Sequence, residues 1–125
     1  MLNALTIDVE DWFQVSRFRR HIREEDWSRM PCHVVENVCH MLTLLDEYHV
    51  KATFFVLGWI AERYPELVQT IKLYGHDIGT HSYVHHLIYE RSEEHPYELQ
   101  SPNTISSYVF CLTQKKTDVK EQCTR

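Results

Sequence analysis

Two short stretches hold residue types able to do chemistry together. Asp8-Val9-Glu10-Asp11 places three carboxylates in four positions, and His81-Ser82-Tyr83-Val84-His85 sets two imidazoles four residues apart. Residues at that spacing share one face of a helix, so a helical turn after Thr80 would aim His81 and His85 at one ion. A carboxylate from the first stretch then gives a two-histidine, one-carboxylate set with positions left open for water and substrate. Such donors suit zinc, and also cobalt, manganese, iron or nickel. An ion in an open site lowers the pKa of its water toward ~7 and polarises the bond under attack, while a second carboxylate can take the proton. The two stretches together point to metal-assisted hydrolysis, with Asp8, Glu10 and Asp11 sharing the roles of ligand and base. Taken apart they say less: His-x-x-x-His alone is a weak signal, and acids at a strand end also serve simply to cap or solvate it. His86 points about 100° away from His85 on a helix and reads as a neighbour rather than a ligand.

The elements that must position these groups follow from hydrophobic pattern. Leu5 to Asp8 is a short apolar run ending abruptly in acids, as expected of a buried strand whose C-terminal end opens into a polar site. Trp12 to Met30 mixes aromatic and charged residues, among them Phe13, Phe18, Arg19, Arg20 and Trp27, without a period, and reads as a loop-rich excursion. From Pro31 to about Tyr48, Val34, Val35, Val38, Met41, Leu42 and Leu45 recur at the spacing of one helical face. His33 and His40 lie within that helix off the ligand spacing and read as surface or boundary residues. Val50 to Leu57 is β-branched and aromatic, followed at once by Gly58, and reads as a second strand. Tyr64-Pro65-Glu66 opens another helix that closes on Gly75, and His76 to His81 makes a third strand. Strand, helix, strand, helix, strand is the order of parallel βαβ units, which collect their sites at the C-terminal ends of strands. Beyond Glu90 the pattern degrades: Pro96 and Pro102 interrupt a candidate helix, Ile105 to Leu112 is strand-like, and a charged tail follows.

Composition narrows the partners. The chain has 125 residues, 43% of them hydrophobic, a formal net charge of -5 and nine histidines. One domain or a piece of one is expected at that length. The negative charge disfavours a phosphate-backbone binder, so nucleic acid is not an expected partner. No run approaches the ~20 apolar residues that span a bilayer, and Met1 to Asp8 lacks a signal-peptide pattern, so no membrane partner and a cytoplasmic location are expected. Cys32, Cys39, Cys111 and Cys123 form no Cys-x-x-Cys pair and read as reduced thiols in such a chain.

Three segments carry a family resemblance: Thr6-Ile7-Asp8-Val9-Glu10-Asp11-Trp12-Phe13, Ala52-Thr53-Phe54-Phe55-Val56-Leu57-Gly58, and Gly75-His76-Asp77-Ile78-Gly79-Thr80-His81-Ser82-Tyr83-Val84-His85. Together they resemble the polysaccharide deacetylases, also called the NodB homology domain or carbohydrate esterase family 4. The acidic segment resembles the branch with exopolysaccharide-linked deacetylases and relatives of peptidoglycan deacetylases and metal-independent allantoinases. The resemblance runs from about Leu5 to Glu90. It implies a distorted (β/α) barrel, a divalent metal and a carbohydrate polymer from which N-acetyl groups are hydrolysed. It assigns the general base to Asp8 and metal ligation to His81 and His85 in a His-Ser/Thr-x-x-His motif, with Glu10 or Asp11 as the acidic ligand.

The same resemblance calls for later motifs: an Arg-x-Pro segment, an aromatic and acidic strand, and a Leu-x-His supplying the general acid. None has a counterpart after Glu90. Barrels of this kind need about 250 residues, so the expected architecture is a truncated α/β barrel, with residues 1–90 as the front part of the domain and 91–125 as a divergent tail. Three functions follow in order: a metal-dependent carbohydrate deacetylase, a catalytically incomplete remnant or interaction protein, and an allantoinase-like amidohydrolase of small molecules.

Overall fold

The computed structural model describes residues 3–84. Three short strands, β1 (Thr6–Val9), β2 (Thr53–Val56) and β3 (Asp77–Thr80), pair in parallel in the order β1-β2-β3. Helix α1 (Val34–Glu47) connects β1 to β2, and α2 (Gly58–Arg63) and α3 (Pro65–Leu73) connect β2 to β3. The expected strand–helix alternation is therefore present, with β2 and β3 shorter than their expected runs and β1 shifted one residue along. The expected helix and strand after Glu90, and the division at residues 90 and 91, lie outside the described residues.

Register sorts the strand residues into two faces. Ile7 pairs with Phe54 and Phe54 with Ile78, while Asp8 pairs with Phe55 and Phe55 with Gly79. Side chains alternate across a strand, so Ile7, Val9, Phe54 and Val56 share one face. There they pack with Val34, Val38, Leu42 and Leu45 of α1 and Leu67, Val68 and Ile71 of α3. Val35 and Met41, counted in the apolar stripe, are instead exposed. On the opposite face a Cβ at Gly79 would stand 2.5 Å from the Phe55 ring, so only glycine lets that ring lie across the sheet.

Helix α1 begins three residues later than Pro31, and its first amides are capped from far away in the chain by Asp11. Helix α3 ends as expected, with Gly75 at φ 77 just past its C-cap, Tyr74. Helix α2 was absent from the sequence reading, which took Gly58 as a stop after β2. The excursion from Trp12 to Met30 folds as three 3₁₀ turns, Trp12–Gln14, Ser16–Phe18 and Glu24–Arg29. Around them Phe13, Trp27 and Val84 form a second apolar cluster, with Trp59 against its edge. Cys32 is a free thiol as expected; Cys39 is disulfide-bonded, a correction to the reduced reading, because spacing along the chain is blind to distant pairing. Among the described residues no helix is long and apolar enough to cross a membrane.

Candidate active site at the C-terminal ends of the first and third strands

Parity decides which acids reach the site. On the Asp8 face of the sheet, alternation carries Asp8 on to Glu10 and Asp77 and Gly79 on to His81, just past the ends of β1 and β3. His81 Nε2 lies 3.9 Å from Asp8 Oδ2 and 4.0 Å from Glu10 Oε2. The two carboxylates differ in solvation: the Asp8 side chain is 56% exposed and that of Glu10 is 19% exposed. The His81 amide donates to Val56 O at 3.0 Å, extending the β2–β3 ladder by one bond and holding the imidazole at the strand end.

Asp11 falls on the opposite parity, and the structure gives it different work. Its carboxylate is buried and accepts the amides of Trp12 at 2.9 Å, His33 at 2.5 Å and Val34 at 3.0 Å. Gln14 Oε1 in turn accepts the Asp11 amide at 2.8 Å, closing a capping box. Asp11 thus caps a 3₁₀ turn and the start of α1 at once, and is not brought together with His81. The signal that separates it from Glu10 was in the sequence all along, as the period of two along β1.

The segment after His81 is not helical. Ser82 sits at φ 63, and the carbonyls of Ser82 and Tyr83 accept the amides of Gly58 at 2.8 Å and Trp59 at 3.1 Å, capping α2. A helical turn beginning at Thr80, the expected means of aligning His81 with His85, is absent from 81–84. His85 itself lies outside the described residues. Tyr83 also donates its hydroxyl to Glu62 Oε2 at 2.5 Å, which ties the same loop to α2.

The donor chemistry fits a divalent cation: one imidazole nitrogen and carboxylate oxygens from two adjoining acids. Ligands about 2.1 Å from one ion stand about 3.4 Å apart in a tetrahedral site. The present separations are wider by about half an ångström, and among the described residues no group of three His, Cys, Asp or Glu is close enough to hold a metal.

Beside the core, Cys32, Tyr64 and His76 have shifted pKa values, that of Tyr64 raised chiefly by its hydrogen bond with Cys32. Burial pushes the Cys32 thiol up, the opposite of what an activated nucleophile needs. Burial lowers His76, whose Nδ1 accepts the Ala52 amide at 3.2 Å and whose ring packs 5.0 Å from that of Phe54. The position of His76 just before an apolar strand is the feature of the sequence that fits its burial.

The chain is 49% identical over 45 residues to a peptidoglycan-N-acetylglucosamine deacetylase of Bacillus cereus, covering 36% of the chain and 16% of that protein. It is 36% identical over 77 residues to a chitooligosaccharide deacetylase of Azorhizobium caulinodans, covering 61% and 35%. Among solved structures, the Bc1960 peptidoglycan N-acetylglucosamine deacetylase superposes with a TM-score of 0.57 at 27% identity over 85% of this chain and 40% of that one. The peptidoglycan deacetylase PdaC from Bacillus subtilis, at 24% identity and a TM-score of 0.56, shares the fold over 90% of this chain and 44% of its own. The chain thus spans less than half the length of each of these relatives. The sequence model of the polysaccharide deacetylase family matches residues 27–115, which takes in β2, α2, α3, β3 and His81. On that match, and with a parallel sheet of the same fold beneath it, the chain belongs to the polysaccharide deacetylase family.

Proposed function

We propose that the chain carries the site of a metal-dependent hydrolase of carbon–nitrogen bonds that removes N-acetyl groups from a carbohydrate polymer, as its named relatives do from peptidoglycan and chitooligosaccharides. The observation that supports this most is the approach of both Asp8 and Glu10 to one nitrogen of His81, from the ends of the two strands that flank β2. Glu10, the drier carboxylate, and His81 would hold the ion together with His85, and zinc is the ion proposed. Bound there, a divalent ion supplies a water of lowered pKa and a polarised acetyl carbonyl. Asp8 is the general base. Its more solvated carboxylate reaches water while standing beside His81, and it holds the abstracted proton at Oδ2. The backbone bond from His81 to Val56 fixes the imidazole against rotation of the strand end.

The test is acetate release from N-acetylated oligosaccharides by the whole chain, before and after chelation and readdition of zinc. Release that requires one ion per chain, and is lost with the ion in His81→Ala, is expected. Release indifferent to chelation or to His81→Ala would overturn the reading. One bound ion with no release from either chitooligosaccharides or peptidoglycan fragments would refute the activity and leave the metal site.

A further inference from the structure

The excursion from Trp12 to Arg23 contains no acid and four arginines, Arg17, Arg19, Arg20 and Arg23, although the whole chain carries a net charge of -5. Arg17, Arg20 and Arg23 are exposed and make no ion pair among the described residues. Arg19 is exposed as well and lines a small cavity together with Glu24 and Trp27. Three acids follow directly, Glu24, Glu25 and Asp26, and of these Asp26 lies near Arg29 at 4.0 Å.

This basic segment is held against the candidate site at two points. Trp12 follows Glu10 by two residues, a reach of at most about 7 Å along the chain. Val84, three residues past His81, is buried in the same cluster as Phe13 and Trp27. On the surface of that cluster Trp12 is 44% exposed and Phe18 38% exposed, their rings edge to face at 5.9 Å. Trp12 is braced from behind by Phe13 at 5.8 Å, and Phe13 by Trp59 at 6.2 Å. Tight turns fix the backbone between: the amides of Phe18, His21 and Ile22 donate to Val15, Phe18 and Phe18 carbonyls at 2.8–2.9 Å. A rigid, half-exposed indole beside unpaired guanidinium groups matches a sugar ring, which offers an apolar C–H face, linked to a sugar bearing a carboxylate.

We propose that residues 12–23 form a binding wall for an acidic polysaccharide. Trp12 and Phe18 carry a sugar ring, and Arg17, Arg20 and Arg23 pair with carboxylates on neighbouring sugars. The inference deepens the proposed function by naming the charge class of its substrate, and it rests on that reading for the site the wall adjoins. A neutral polymer such as chitin gives three exposed arginines nothing to pair with.

The experiment is calorimetric binding by the whole chain, stripped of metal, of two N-acetylated probes of equal length: a hyaluronan hexasaccharide, which alternates N-acetylglucosamine with glucuronate, and neutral chitohexaose. Hyaluronan should bind at least tenfold more tightly at low salt. That preference should vanish in R17Q/R20Q/R23Q and shrink at 0.5 M salt, where the screening length is about 4 Å. Trp12→Ala should weaken both probes together, and Trp12→Phe should restore most of the loss. Equal binding of the probes, or a preference that survives the triple substitution, would overturn the proposal. So would oligothymidylate bound as tightly as hyaluronan, which would mark a general polyanion surface. Because the chain is metal-free, these outcomes are independent of acetate release: failure of the metal reading leaves the binding result standing, and failure of the wall leaves the metal reading standing.

Discussion

Gly58 lies directly beneath Tyr83: a Cβ at position 58 would stand 2.6 Å from Tyr83 Cδ2 and 2.9 Å from its Cα. The ring could swing aside alone, but the backbone could give way only by moving the whole loop. Since the Gly58 and Trp59 amides are satisfied by the Ser82 and Tyr83 carbonyls, Gly58→Ala forces that loop away and exposes the start of α2. The expected cost is about 1–3 kcal/mol, the range for overpacking a fitted contact. His81 adjoins the displaced loop, so zinc affinity should fall by tenfold or more. Thermal unfolding and a zinc titration on the same preparation measure the two effects. A Gly58→Ala chain as stable as the parent would contradict the contact.

Glu10 and Asp11 are neighbours in sequence and opposites in structure, which separates their substitutions. Asp11→Ala removes the acceptor for three amides, two of them at the start of α1. It should cost about 1–3 kcal/mol, summing the loss of a cap with amides left unsatisfied. Metal affinity of the chains that remain folded should stay within a few fold. Glu10→Gln should do the reverse, lowering metal affinity by one to two orders of magnitude with little change in denaturant midpoint. Equal metal loss in both variants would show that parity along β1 does not govern the site.

What was legible in the sequence was local. The apolar runs around Ile7, Phe54 and Ile78, the stripe of α1 and the turn at Gly75 each depend on residues within a few positions, and all are present. The approach of Asp8 to His81 was legible in part: a parallel sheet gathers its polar strand ends at one edge, but that β1 and β3 flank β2 and meet across its end follows from the strand order alone. Three features needed contacts from far along the chain. Helix α2 has only six residues and is capped by carbonyls from 82 and 83, so no local periodicity announces it. Asp11 acts 22 and 23 residues away, on His33 and Val34. The non-helical path after His81 follows from the same capping of α2, which pulls Ser82 into a left-handed conformation that no spacing rule anticipates.

His76 links stability to pH. Its Nδ1 accepts the Ala52 amide, so the neutral ring carries its proton on Nε2 and must stay neutral to keep that bond. Burial holds its pKa below the ordinary value, with the Lys51 charge acting in the same sense. The unfolded chain therefore takes up the proton first as pH falls. The contribution is fully present above the unfolded value of about 6.5 and is lost progressively below it, down to the folded pKa. Urea midpoints measured from pH 8 to pH 5 should drop more steeply for the parent than for His76→Asn, which offers the same amide an acceptor that does not titrate. Parallel slopes for the two proteins would show that His76 is not the group responsible.

Asp8 has no structural duty comparable with that of Asp11: its side chain is 56% exposed, with His81 Nε2 3.9 Å away. Removing its charge should therefore leave the fold intact and reach the chemistry alone. Asp8→Asn should change the unfolding free energy by no more than about 0.5 kcal/mol, as surface substitutions do. It should lower kcat by about 10²–10⁴, the range for loss of a general base. Because Asn keeps the shape and a hydrogen-bonding oxygen, KM should move little; a loss confined to KM would assign Asp8 to substrate binding. Zinc bound by Asp8→Asn at the parent's stoichiometry, with acetate release lost, is the outcome that separates base from ligand. Loss of the ion itself would place Asp8 in the coordination set and pass the base role to another carboxylate.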